Sequence, residues 1–220
     1  MSEIFHDLND VTVRGISVSE MANNVYLVTS KADGAQLLID AADDAKAITG
    51  LIQSASSDAE VPTSLAGIAT THQHWDHIRA LQEMVDSTGV KTYAGAEDAA
   101  GILEGSSVKI DAPLGHGDKV FVGSTVLECV HLRGHTPGSI AFVLRDSGGT
   151  VLIFSGDSLF PGGVGNTGND SQRFTSLLDD VTERLFGHYP DESIVLTGHG
   201  DSTTLGRERP HLEEWRSRGW

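Results

Sequence analysis

Five of the ten histidines sit where metal chemistry is easiest to build. The densest stretch is Thr70-Thr71-His72-Gln73-His74-Trp75-Asp76-His77. Three imidazoles and a carboxylate within six residues are more ligating groups than a structural loop needs. Neutral imidazole and carboxylate are donors that zinc, iron and manganese accept. Side chains alternate along extended backbone, so His72 and His74 point to one side. Asp76 and His77 then turn onto a helix start and can face a second position close by. The remaining candidates stand alone in Gly-containing turns: His135 in Arg133-Gly134-His135-Thr136-Pro137-Gly138, Asp157 in Ser155-Gly156-Asp157-Ser158-Leu159-Phe160, and His199 in Thr197-Gly198-His199-Gly200. Glycine beside each leaves room for backbone to approach an ion closely.

All of these residues follow apolar, β-branched runs bounded by turn residues, the signature of strands. The pattern predicts strands near 11–18, 24–30, 35–40, 65–71, 90–94, 118–122, 124–131, 139–145, 150–155 and 193–198. It predicts helices near 43–54, 76–87, 96–103, 171–186 and 207–216. Strand ends bring distant positions to one rim of a sheet, so the four loops can converge. Strands arrive in clusters with single helices between them, which fits two sheets packed face to face with helices outside better than βαβ winding. Asp43-Asp44 and Ser171-Gln172 place polar groups where a helix start has free N–H groups. Gly123-Ser124 and Ser147-Gly148-Gly149 are hairpin signals. With no linker-like stretch, residues 1–220 read as a single α/β domain.

The 31 acidic and 15 Lys/Arg residues give a formal charge of −16. Phosphate-backbone binding needs the opposite balance, so nucleic acid is not an expected partner. The apolar runs fall short of the roughly 20 residues of a membrane span. The N-terminus lacks a basic and apolar leader pattern, so no membrane and a cytoplasmic location are expected. The single Cys129 cannot form an internal disulfide and reads as a small buried strand residue. A small-molecule substrate is the expected partner, with a homo-oligomer left open. His6, His116, His131, His188 and His211 read as surface or core histidines.

The set His72-x-His74-x-Asp76-His77, then His135, Asp157 and His199, resembles the metallo-β-lactamase superfamily of metal-dependent hydrolases, over nearly the whole chain. The resemblance implies an αββα sandwich of two mixed sheets flanked by helices. It implies His72, His74 and His135 on a first metal, Asp76, His77 and His199 on a second, and Asp157 bridging them. Asp40, after Leu37-Leu38-Ile39, matches a family position that supports the metal loop from behind. A hydroxide between two Zn2+ ions is the nucleophile this implies, because coordination lowers the pKa of water from 15.7 towards roughly 7. Asp76 and Asp157 are then the catalytic carboxylates. Trp75 and Phe160 flank ligands and either line the pocket or pack in the core. The loop Pro161-Gly162-Gly163-Val164-Gly165-Asn166-Thr167-Gly168 lacks a Gly-Lys-Ser/Thr ending, so it reads as a loop beside the site and not as a phosphate cradle.

Within the superfamily, Asp157 stands where true β-lactamases have Cys or Ser. Gly156-Asp157-Ser158-Leu159-Phe160 resembles the glyoxalase II and persulfide dioxygenase branches, and the stretch from Gly198 to Arg209 is similar to the glyoxalase II ending. This implies hydrolysis of a thioester or similar activated acyl compound. Two departures weigh against glutathione as the thiol. The chain runs only about twenty residues past His199, without the C-terminal helical domain of long glyoxalases, and Asn166 occupies a loop where relatives often place a cation. The persulfide dioxygenase resemblance implies instead one Fe2+ held by His72, His135 and Asp157, a two-His, one-carboxylate set. A lactonase, esterase or β-lactamase-like hydrolase is the lesser alternative.

Overall fold

The computed structural model describes residues 3–219. Its first sheet orders β1 (Glu3–Asp7), β2 (Val11–Val18), β3 (Asn23–Ser30), β4 (Ala35–Ile39), β5 (Ser64–Thr70), β6 (Lys91–Gly95) and β7 (Ala112–Leu114) side by side. Neighbours are antiparallel up to β4 and parallel from β4 to β7. The second sheet begins with β8 (Lys119–Val122), β9 (Thr125–His131), β10 (Ile140–Arg145) and β11 (Val151–Gly156), all antiparallel. After a separate short hairpin of β12 (Leu159–Phe160) and β13 (Gly163–Val164), β14 (Ile194–Thr197) joins β11 in parallel, and β15 (Thr203–Thr204) closes that edge.

Period-two alternation sets the layers. Leu37 and Ile39 of β4 enter the core between the sheets, where they join Leu127, Cys129, Phe142 and Phe154. Leu38 points the other way, onto Ile48 and Leu51 of α1 (Ala45–Ser54), Leu81 and Met84 of α2 (Leu81–Thr88) and Ile102 of α3 (Ala99–Ser106). On the far side, Ala141, Val143 and Ile153 pack under Leu177 and Leu178 of α4 (Ser171–Val181) and Trp215 of α6 (Leu212–Arg218). The result is the αββα sandwich. Cys129 lies in the inter-sheet core, where burial pushes its thiol up to about 12. Among the described residues, no helix is long and apolar enough to cross a membrane.

Several boundaries differ from the sequence reading. No α-helix starts at Asp76. Residues Trp75–His77 form one 3-10 turn, and Arg79 and Ala80 give their N–H groups to the Ala42 and Ala41 carbonyls, so α2 waits until Leu81. Burying Asp76 and His77 bends the chain inward before it can wind. Asp170, not Ser171, caps α4 by accepting from the Gln172 and Arg173 N–H groups. Asp44 caps α1 through the Ala47 N–H. Past Val181 the expected helix widens into a π turn, Thr182–Phe186, that buries Leu185 and Phe186. The last helical region starts earlier, as α5 (Leu205–Glu208), and Pro210 breaks it before α6 because proline has no N–H to give. The β12/β13 hairpin and the strands β1, β7 and β15 lie outside the strands the sequence predicts. The last three are short pieces added at sheet edges, where a neighbour's free edge organises them.

Candidate metal centre

The parallel pairs β4/β5 and β11/β14 point their C-terminal ends at the same rim, and all seven predicted ligand residues meet there. Three groups place their donor atoms within 4.8 Å of one another: His72, His74 and His135; His72, His77 and Asp157; and Asp76, His77 and His199. The first and last groups lie on either side of Asp157. One Asp157 oxygen is 3.4 Å from His77 Nε2, and the other is 3.6 Å from His135 Nε2 and 3.4 Å from His199 Nε2.

Outer hydrogen bonds decide which nitrogen faces inward. His135 Nδ1 donates to the Asn166 carbonyl at 2.7 Å and His199 Nδ1 to the Met21 carbonyl at 2.8 Å. His77 Nδ1 donates to Asp40 Oδ2 at 2.9 Å. The Thr71 hydroxyl gives its proton to Asp40 Oδ2, so at 3.1 Å it accepts from His72 Nδ1. Each of these four rings therefore turns Nε2 into the cluster, and His74 turns Nδ1 there. Facing ring nitrogens stand 3.1 to 3.2 Å apart in the His72–His74, His72–His135 and His77–His199 pairs. Lone pairs at that separation repel unless positive charge lies among them.

Asp157 Oδ1 supplies a second sign of fit, being buried with no hydrogen-bond partner. A Cβ on Gly198 would stand 2.1 Å from that oxygen, so glycine is required there. Five imidazoles and two carboxylates directed at a common space, with one buried carboxylate oxygen that makes no hydrogen bond, fit two divalent cations. Borderline metals such as zinc or iron suit this nitrogen-rich set.

Electrostatics divide the cluster. Burial keeps His72 well below the usual imidazole range and His74 below it, and it holds His135 at about 4 against the pull of Asp157. These three are neutral, ready donors at pH 7. Burial also opposes charge on His77, but Asp40 and Asp157 override it and raise the ring to about 10. Hydrogen bonds to Asp157 and Asp76 raise His199 to about 10 as well. Both carboxyls, though desolvated, are held far below the usual carboxylate range by the neighbouring imidazoles.

Asp40 acts behind the centre. It adopts left-handed backbone (φ 59°) and its two oxygens collect the Thr71 N–H, the Thr71 hydroxyl and His77 Nδ1. Of the pocket residues anticipated, Phe160 lies beside the site, 6.5 Å between ring centres from His199. Trp75 is 58% exposed and does not pack in the core; Arg79 stacks 4.0 Å from its ring. Asn166 contributes by its backbone carbonyl, while its side chain accepts from the Gly168 N–H. The Gly-rich loop thus borders the site, as expected. Among the described residues, His6, His116, His131, His188 and His211 belong to none of the three groups.

Three supporting residues were not found from sequence. Asn23, at the start of β3, donates to Asp76 Oδ2 at 2.9 Å. Asp98, fully buried ahead of α3, accepts from the Gln73 N–H, the Thr136 hydroxyl and the Gly138 N–H. Arg173 of α4 donates to the carbonyls of Gly134 and His135. The doubled Asn23-Asn24 inside an apolar strand was the one available signal. Asp98 reads as an ordinary helix-start acid, and nothing marks Arg173.

A sequence profile described as the metallo-beta-lactamase superfamily matches residues 18–199, from the end of β2 through the last histidine of the cluster. The chain belongs to the metallo-beta-lactamase superfamily. Among superfamily relatives, hydroxyacylglutathione hydrolase GloC of Haemophilus influenzae is 29% identical over 164 residues, covering 68% of this chain and 76% of that protein. The structure of ETHE1 from Myxococcus xanthus superposes with a TM-score of 0.77 at 26% identity, covering 93% of this chain and 84% of the other. TTHA1623, solved in a di-iron-bound form, gives a TM-score of 0.68 at 28% identity, covering 89% and 96%. Within this superfamily the His/Asp cluster is a site able to bind two metal ions.

Proposed function

We propose that the protein is a dinuclear metal hydrolase, glyoxalase II-like, that cleaves thioesters or similarly activated acyl compounds. The observation that carries this reading is the position of Asp157, with one oxygen toward His77 and the other toward His135 and His199. A bridging carboxylate belongs between two ions. In this reading His72, His74 and His135 would hold one ion, Asp76, His77 and His199 would hold the other, and Asp157 would serve both. The kinship to GloC supports thioester chemistry.

When bound, divalent ions such as zinc supply Lewis acidity and bring water's pKa towards roughly 7. The chain's part is to hold these donors rigid. Asp40 keeps Nδ1 of His77 protonated and its Nε2 directed inward, while Met21 and Asn166 do the same for His199 and His135 through their carbonyls. Asn23 leaves Asp76 one oxygen free of hydrogen bonds among the described residues. A thiolate departs without a strong general acid, since a thiol's pKa is only about 8.5, and the cluster contains no separate acid dedicated to that step.

The same residues support a second reading, a mononuclear iron dioxygenase acting on persulfides. His72, His135 and Asp157 form the two-His, one-carboxylate set, and the similarity to the ETHE1 structure supports this reading. Metal content of protein purified without chelator or added metal separates the two. About two zinc ions per chain with thioester turnover supports the hydrolase. About one iron per chain, with oxygen consumed on persulfide addition, overturns it in favour of the dioxygenase.

A further inference from the structure

A cleft of about 670 Å³ opens directly beside His74 and His135, between the loop after β9, the start of α3 and the first turns of α4. Its lining includes Gln73, Glu97, Arg133, Gln172, Arg173 and Ser176. In a chain of charge −16, this wall is locally basic. Asp180 is the only carboxylate paired with Arg133 among the described residues, and it pairs with Arg184 too, so the three together keep one positive charge. Arg173 has no carboxylate within 4.0 Å among the described residues. Its Nε and Nη2 are spent on the Gly134 and His135 carbonyls, which neutralise nothing. Glu97 is the one acid in the lining.

Both guanidinium groups are fixed in place. Arg133 is forked onto Asp180 through Nε and Nη2, at 2.8 and 2.6 Å. Arg173 spans from the His135 loop towards the Gly-rich loop, with Nη1 near Gly168. In each residue Nη1 makes no hydrogen bond among the described residues. Rigid, partly unsatisfied guanidinium donors recognise carboxylates well, because little side-chain freedom is lost on contact.

We infer that this cleft is the seat of a carboxylate-bearing arm of the substrate, anchored by Arg173 with Arg133 beside it, while the scissile group lies at the His/Asp cluster. The inference rests on the hydrolase reading for the identity of the scissile group, but not for the binding of the arm. It supplies on the helix the cation that Asn166 does not provide in the loop. Glu97 lets an arm that also carries an amine fit the same wall.

The test uses metal-loaded protein and two uncleavable thioethers, S-hexylglutathione, which carries carboxylates, and S-hexyl-N-acetylcysteamine, which is uncharged. Gln172→Glu adds a negative charge to the lining at a residue whose side chain makes no hydrogen bond among the described residues. Arg173→Gln removes the anchor, with metal content measured alongside because Arg173 also holds the His135 loop. By calorimetry, wild-type protein is expected to bind the charged thioether more tightly, and Gln172→Glu to weaken that binding about tenfold while leaving the neutral probe unchanged. Arg173→Gln should act in the same direction. Equal loss for both probes, no change in Gln172→Glu, or no preference for the charged thioether in wild-type protein would each overturn the cleft assignment. If the binding pattern holds but no thioester is hydrolysed, the cleft stands and the hydrolase reading falls. Turnover of thioesters without carboxylate preference leaves the opposite result.

Discussion

The Thr136 hydroxyl donates to Asp98 Oδ2 at 2.6 Å, out of contact with water, and joins the loop that carries His135 to the sheet that carries His72 and His74. The same oxygen receives the Gln73 N–H, between those two histidines, and the other oxygen receives the Gly138 N–H. Asp98 therefore sets the spacing of the first group of donors. Asp40 and Asn23 do comparable work for the second group.

Asp98→Asn places an amide where only acceptors fit. The expected outcome is a loss of about 10- to 100-fold in affinity for one of the two ions, the usual cost of losing an outer-shell partner, with the other retained. Stepwise titration of metal-free protein, read by calorimetry, checks it. Equal weakening at both sites would show that Asp98 only supports the fold.

Asp157→Ala removes the carboxylate shared by both groups and should abolish most bound metal and activity together. Plasma mass spectrometry of the purified variant measures the first and a thioester assay the second. Retention of both would end the bridging assignment.

His116→Ala and His188→Ala should leave metal content at the wild-type value. His188 Nδ1 is engaged with the Glu183 carbonyl, and neither residue belongs to a metal-capable group among the described residues. A drop in either variant means the donor set has been misread.

Acidity should separate the two groups of donors in metal-free protein. His77 and His199 sit at about 10, raised above the ordinary 6.5, so their ion pairs with Asp40, Asp76 and Asp157 stabilise the metal-free fold fully below about pH 6.5. That contribution fades as pH rises towards about 10. Thermal unfolding of metal-free protein should therefore weaken across this window, whereas the loaded protein, whose rings are already deprotonated, should not follow it. Metal loading near pH 7 should also release protons, because His77 and His199 must give theirs up. A flat metal-free melting profile between pH 6.5 and 10 contradicts this picture.

Gly198→Ala tests how tightly the centre is built. The new Cβ would press on Asp157 Oδ1 from 2.1 Å and on His77 Cε1 from 2.9 Å, and both neighbours are held in place by the cluster. Loss of metal with little change in circular dichroism is expected. Unchanged metal affinity would show that the Asp157 loop gives way more easily than its packing indicates.

Local sequence determined a great deal of this protein. His72, His74, Asp76 and His77 were readable because their spacing along the chain is nearly their spacing in space. His135, Asp157 and His199 were readable because each ends an apolar run at a glycine turn, and strand ends share a rim. The alternation of Leu37, Leu38 and Ile39 likewise fixes which faces meet the second sheet and which meet helices. The tertiary structure decided the rest. Asp76 and His77 wind only a 3-10 turn and stop short of the α-helix because burial at the rim outweighs local winding. Asp98 and Arg173 acquire their roles from partners 25 to 40 residues away, which no periodicity encodes. Which nitrogen of each histidine faces inward also depends on distant acceptors, Met21 for His199 and Asn166 for His135. The sequence carries the donors, while long-range hydrogen bonds formed only when the two sheets pack aim them.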